Sequence, residues 1–382
     1  MNKIKRVFLL AVCLMIALPV RALAAQPSLS AQSAVLMAAD TGKLLFTQNS
    51  QERLPMASTT KIMTALLALE SGDLDAVFTV DPQAIQVEGS SMGLQKGDQV
   101  TMRVLAYGML LQSGNDGANV AAVRIAGSTA AFAELMNQRA QEIGMLNTHF
   151  VTPSGLDDEQ HYTTAEDMAR LARVALQNPD FLEICSASTA KVSYGNPPYD
   201  RWMTNHNRLL REYSGCIGVK TGFTKKSGRC LVSAAERDGV RLIAVTLNAP
   251  SDWADHKALL DYGFSICSAV ELPMPEEVTI PVVGGTTSQL KLRASQSVSI
   301  AVTAEELDQI EIKYFVPRFC YAPVEQGEVI GYAQYRLHGE TLRSVPLEAT
   351  QSVMAAEMPA ERSVWDKVVD FFQNLWDQWH RS

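Results

Sequence analysis

Strand-like stretches at both ends of a long helical middle constrain this chain more than any other feature. Residues 33–39 and 43–48 alternate or run apolar and flank Asp40-Thr41-Gly42, a good hairpin turn. Helical spacing of apolar residues follows over 58–70, where Ile62, Ala65, Leu66 and Leu69 share one stripe. It recurs over 104–111, 117–125, 129–143 and 164–176. Thr164-Ala165-Glu166-Asp167 reads as a helix cap with acids in the first turn. Strand patterns return at 218–224, 229–235 and 241–247, the last two joined by Arg237-Asp238-Gly239. Neither end can bury its strands alone. The economical solution is an α+β domain, a mixed-order antiparallel sheet of N- and C-terminal strands with the helices on its faces.

A second unit is expected after this one. Residues 274–347 hold short apolar runs at 277–282, 297–302, 310–315 and 329–337, separated by Pro, Gly, Ser and Thr. That is the pattern of a small all-β sandwich without chemical motifs. The expected division is a catalytic domain over 25–272, the β domain over 273–347, a linker over 348–359 and a helix over 360–382.

Both ends carry location signals. Lys3, Lys5 and Arg6 precede an uncharged run over 7–20, then Ala22-Leu23-Ala24. This is the layout of a secretory signal occupying residues 1–24, and its apolar run is short for a membrane span. At the far end Trp365, Val368, Val369, Phe372, Trp376 and Trp379 recur on one helical face, opposed by Asp366, Lys367, Asp370 and Asp377. Charges interrupt it too often for a span, and its tryptophans suit the surface of a membrane. An exported protein held to the outer face of the cytoplasmic membrane is the expected location. The formal charge of −8 gives no attraction for nucleic acid. Beyond Cys13, five cysteines remain at irregular spacing, so one thiol at least stays unpaired. No Cys-x-x-Cys or His-x-x-x-His pair occurs, and neither metal nor cofactor is expected.

Three short motifs carry the chemistry. Ser58-Thr59-Thr60-Lys61 sets a hydroxyl and an amine three residues apart at a helix start. Positions i and i+3 share a helical face, so a desolvated Lys61 could take the proton of Ser58. Ser113-Gly114-Asn115 lies at a break between helices. Its hydroxyl can relay a proton, and its amide can donate to a substrate carbonyl or accept from lysine. Lys220-Thr221-Gly222 lies on a strand, where ammonium and hydroxyl suit a carboxylate and glycine admits a substrate backbone. Each motif alone has a bland reading: a helix cap, a turn, a surface lysine. Together, in this order and these contexts, they are the three elements of penicillin-recognising serine enzymes.

With these residues in view, the chain resembles the serine-type D-alanyl-D-alanine carboxypeptidases, the low-molecular-mass penicillin-binding proteins. Ala38-Ala39-Asp40-Thr41-Gly42-Lys43, Pro55-Met56-Ala57-Ser58, Gly89-Ser90-Ser91-Met92 and Gly218-Val219-Lys220-Thr221-Gly222-Phe223-Thr224 extend the likeness over most of its length. It is most similar to the branch found in spore-forming Gram-positive bacteria. The resemblance implies a β-lactamase/transpeptidase-like catalytic domain. It further implies that Ser58 forms an acyl-enzyme with peptidoglycan stem peptides ending in D-Ala-D-Ala, and that β-lactams inhibit by acylating the same serine. Lys61 would accept the proton, Ser113 relay it and Asn115 position the peptide. Lys220 and Thr221 would bind the terminal carboxylate beside Gly222. The backbone N–H groups of Ser58 and Phe223 would form the oxyanion hole. Three alternatives stay open on sequence alone: a D,D-endopeptidase, a β-lactamase, and a non-catalytic wall-binding protein. The Glu-x-x-Leu-Asn loop of class A β-lactamases is absent between Ser113 and Lys220.

Overall fold

The computed structural model describes residues 25–357 and 364–380. The signal segment expected over 1–24 lies outside them. The chain divides into two compact units, residues 1–270 with 299–308 and residues 271–298 with 309–382.

The first unit is organised by a five-stranded antiparallel sheet. Its strands are β1 (Ser33–Ala38), β2 (Leu44–Gln48), β5 (Cys216–Thr224), β6 (Gly228–Arg237) and β7 (Val240–Leu247), in the order β2-β1-β7-β6-β5. A separate hairpin pairs β3 (Thr189–Gly195) with β4 (Pro198–Thr204). The first strand docks between its own hairpin partner and the last strand, so the chain ends close one sheet, as expected. Side chains alternate across the sheet. Val35, Met37, Ile243 and Val245 enter a core with α1 (Lys61–Leu69), α2 (Met102–Leu111), α3 (Asn115–Ala126), α4 (Thr129–Ile143), α5 (Ala165–Ala175) and α6 (Pro179–Ser186). Leu36, Leu242 and Ala244 enter the opposite core, against α7 (Asp252–Ile266).

Local chemistry sets these boundaries. Ser128 Oγ caps α4 by accepting from Ala131 N, and Thr164 Oγ1 caps α5 by accepting from Asp167 N. Asp238 and Gly239 turn between β6 and β7 with φ of 49° and 79°. Helix α7 has no counterpart in the sequence reading, for a physical reason. Its inward face carries Asp252, Asp255 and His256, all buried, which interrupt the apolar stripe. His256 is matched across the sheet by the hydroxyls of Ser233 and Thr246.

The second unit is β-rich. Its six-stranded sheet runs Glu311–Phe315, Val329–Leu337, Glu340–Ala349, Gln289–Ala294, Val278–Val283 and Cys320–Tyr321. Residues 348–357, expected as linker, are corrected to part of this unit. Val353 N donates to Val324 O, Ala356 N to Gly284 O, and Thr350 N to Lys291 O. Small and hydroxylated residues make the stretch look like a linker, but backbone pairing binds it. Residues 299–308 cluster instead with the first unit, where Ala301 N donates to Asp40 Oδ2 and Lys43 Nζ to Thr303 Oγ1. Val364–Trp379 forms a helix on which Trp365, Trp376 and Trp379 are exposed. Among the described residues no cysteine is in a disulfide.

Candidate active site

Ser58 sits in a single turn of 3₁₀ helix, Ala57–Thr60, and the α-helix begins only at Lys61. The sequence reading put both on one α-helix. The tighter turn still aligns them, because residues three apart eclipse in a 3₁₀ helix. Lys61 Nζ lies 3.0 Å from Ser58 Oγ. Ala57 enters this turn at φ 47°, a left-handed conformation costly for a non-glycine residue. Two glycines allow the surrounding backbone to hold it. A Cβ on Gly155 would stand 2.0 Å from Ala57 O, and one on Gly222 would stand 3.0 Å from Ser58 N. Gly222 therefore brings β5 against the amide of Ser58, with Phe223 one residue further on.

Lys61 is fully buried and has three partners. Its Nζ donates to Ser154 O at 2.6 Å and Asn115 Oδ1 at 2.7 Å, besides facing Ser58. Burial, then the Lys220 ammonium, holds its pKa well below the ordinary lysine range, while Asp116 opposes the shift. Lys220, 1 % exposed, donates to Ser113 Oγ at 3.1 Å and to Thr221 O at 2.8 Å. Burial lowers its pKa to about 7. Ser113 holds φ 61° at the break between α2 and α3, which turns its hydroxyl toward the lysine. Ser58, Lys61 and Asn115 thus form one hydrogen-bonded group and Ser113 with Lys220 another. Thr221 and Gly222 continue β5 beside them, and the Phe223 side chain is exposed.

Two supports were not legible in the motifs. The carbonyl of Ser154 fixes Lys61, a backbone role no side-chain pattern announces. His161 is the other. Its Nδ1 accepts from Val151 N at 2.9 Å, so Nε2 carries the proton toward Thr60 Oγ1 at 2.8 Å, which donates to Ala57 O. Burial pushes the His161 pKa down to about 4 and that of His256 to about 3. Both are neutral in the fold. Below about pH 6.5 the unfolded chain takes up these protons and the folded chain refuses them, so stability is full above that pH and falls beneath it. Each histidine should cost about 2 kcal/mol at pH 5. Urea unfolding at pH 7.5 and 5.0 measures the loss, and His256→Gln should remove about half of it. Equal midpoints for the wild type at the two pH values would refute this account.

Known proteins resemble this chain in sequence and fold. Residues 21–251 match the family model for D-alanyl-D-alanine carboxypeptidase, and residues 275–355 match the C-terminal domain of penicillin-binding protein 5. The chain is 32% identical to D-alanyl-D-alanine carboxypeptidase DacF of Bacillus subtilis, over 85% of this chain and 86% of that one. It is 31% identical to DacC of Escherichia coli, over 93% and 91%. Penicillin-binding protein 5 from Haemophilus influenzae superposes with a TM-score of 0.62 at 30% identity, covering 86% of this chain and 99% of that one.

Proposed function

Given that the chain belongs to the D-alanyl-D-alanine carboxypeptidase family, we propose that its first unit removes the terminal D-alanine of peptidoglycan stem peptides through an acyl-enzyme on Ser58. The observation that carries this is the coordination of Lys61. A neutral amine has two N–H donors and one lone pair. Ser154 O and Asn115 Oδ1 can only accept, so they engage the two donors. The lone pair is left for Ser58 Oγ, 3.0 Å away.

The steps follow from that arrangement. Ser58 Oγ attacks the carbonyl carbon between the two D-alanines as its proton passes to Lys61 Nζ. The oxyanion is received by the N–H groups of Ser58 and Phe223, donors of a kind worth a few kcal/mol each. Lys220 as ammonium, with Thr221, binds the terminal carboxylate. Lys61 and Ser113 return the proton to the departing amine. Water then adds to the ester carbonyl and Ser58 is released. β-Lactams acylate the same oxygen. Asn115 holds Lys61 in this resting site and positions the peptide through its amide.

Release of free D-alanine from a diacyl-L-Lys-D-Ala-D-Ala peptide tests the reading. Absence of release, with no fluorescent-penicillin adduct at Ser58, would sink it. Rapid penicillin turnover would point to the β-lactamase alternative, and cleavage of cross-linked dimers alone to the endopeptidase.

The protein is further assigned to the outer face of the cytoplasmic membrane. Supporting this are the N-terminal signal pattern and the exposed tryptophans of Val364–Trp379. No helix among the described residues is long and apolar enough to cross a membrane. A chain lacking residues 360–382 should stay active but cease to sediment with anionic liposomes. Equal sedimentation of both forms would remove the anchor role.

A further inference from the structure

Asp116 directly follows Asn115 at the start of α3, yet its carboxylate serves another segment. It is buried and accepts from Ser91 Oγ (2.6 Å), Met92 N (2.9 Å), Gly93 N (3.1 Å), Leu94 N (3.0 Å) and Gly117 N (2.9 Å). Four of these donors belong to 91–94, a stretch with no helix or strand of its own. The Met92 side chain plugs the same place. A Cβ on Gly108 or Gly117 would meet its sulfur at 2.3 or 2.8 Å, so these two glycines of α2 and α3 leave the room that the Met92 side chain fills. From outside, Tyr194 Oη donates to Met92 O and Arg201 Nη1 to Gly93 O.

The segment just before this clamp touches the site. Asn115 Nδ2 donates to Glu88 O at 2.7 Å, and Asn115 N donates to Ser90 O at 2.7 Å. An amide held at its nitrogen has its oxygen aimed the other way, here at Lys61 Nζ. We propose that Asp116 is a positioning residue: by clamping 91–94 it keeps Glu88 O on Asn115 Nδ2 and so fixes the amide face presented to Lys61. This rests on Lys61 being the base. Glutamate or asparagine would not substitute. The first is too long for four converging donors, and the second turns an N–H toward backbone N–H groups. Asp116 also bears on Lys61 as a charge. Lys220 on β5 opposes it, and His161, which bonds to the neighbouring Thr60, is neutral.

The experiment compares wild type, Asp116→Asn and Met92→Ala by penicillin acylation rate against pH, by D-alanine release, and by thermal unfolding. In D116N, acylation should fall about 10- to 100-fold, as expected for a misplaced catalytic group. The loss should fall on kcat more than on KM for the peptide, because Lys220 and Thr221, which bind the carboxylate, are untouched. Its acid limb should move to lower pH, because the charge that favours the Lys61 ammonium is gone. In M92A the rate should fall with the acid limb at its wild-type position. A D116N rate within twofold of wild type overturns the proposal, as does a slower enzyme with an unmoved acid limb. If D116N does not fold, M92A decides the clamp, and a rate within twofold of wild type overturns it. Failure of the underlying reading would look different: wild-type protein itself would take no adduct at Ser58.

Discussion

A Ser58→Ala variant should form no covalent adduct with penicillin, and its turnover of D-Ala-D-Ala peptide should drop by about 10⁶-fold, the scale of losing a serine nucleophile. Intact-mass spectrometry after incubation with penicillin gives the first result and D-alanine release the second. The fold should tolerate the change. Ser58 is only half-buried, and its hydroxyl is engaged with Lys61 alone among the hydrogen bonds around it. Lys61 keeps Ser154 O and Asn115 Oδ1 as acceptors, so the cost is that of one hydrogen bond, about 1 kcal/mol. An adduct that persists in the variant would place the nucleophile elsewhere and end the mechanism given above.

Replacing Lys61 by methionine should slow acylation by about 10²- to 10⁴-fold, the usual contribution of a positioned base. The pH dependence separates this from a packing effect. Lys61 must be neutral to accept a proton, so wild-type acylation rises with pH as it deprotonates. Burial and Lys220 bring that rise below the ordinary lysine range. Lys220 must be charged to bind a carboxylate, so kcat/KM falls again as pH rises through its value of about 7 in the free enzyme. Bound carboxylate favours the ammonium and carries the descending limb of kcat to higher pH. K61M should lose the acid limb and keep the alkaline one. An acid limb that survives in K61M belongs to some other group.

Much of the site was legible because its parts are local. Ser58 and Lys61 lie within one turn, and Ser113 with Asn115 or Lys220 with Gly222 span three residues each. The alternation in residues 33–48 and 217–247 likewise needs no distant partner to be read. What escaped was carried by backbone or by long-range packing. Ser154 contributes a carbonyl, which any residue has. Asp116 looks like an ordinary first-turn acid beside a helix dipole, and four of its five donors are more than twenty residues away. Helix α7 hid because His256 is satisfied by hydroxyls on two strands, so a polar residue occupies a core position. Residues 348–357 read as linker because composition does not report backbone pairing.

The sequence by itself determined which functional groups this protein has and roughly where along the chain each would lie. Hydrophobic period and turn residues are encoded within a few positions, and so is the identity of a nucleophile or a base. Only the tertiary structure decided that these groups meet in one place. Closing the first and last strands into one sheet brings β5 onto the turn of Ser58, which buries two lysines within one site. Burial removes the water that favours the ammonium form of each, which lowers both pKa values, and the fixed acceptors leave Lys61 one free direction, toward Ser58. Those are properties of an enclosed volume, and no stretch of the chain holds them alone.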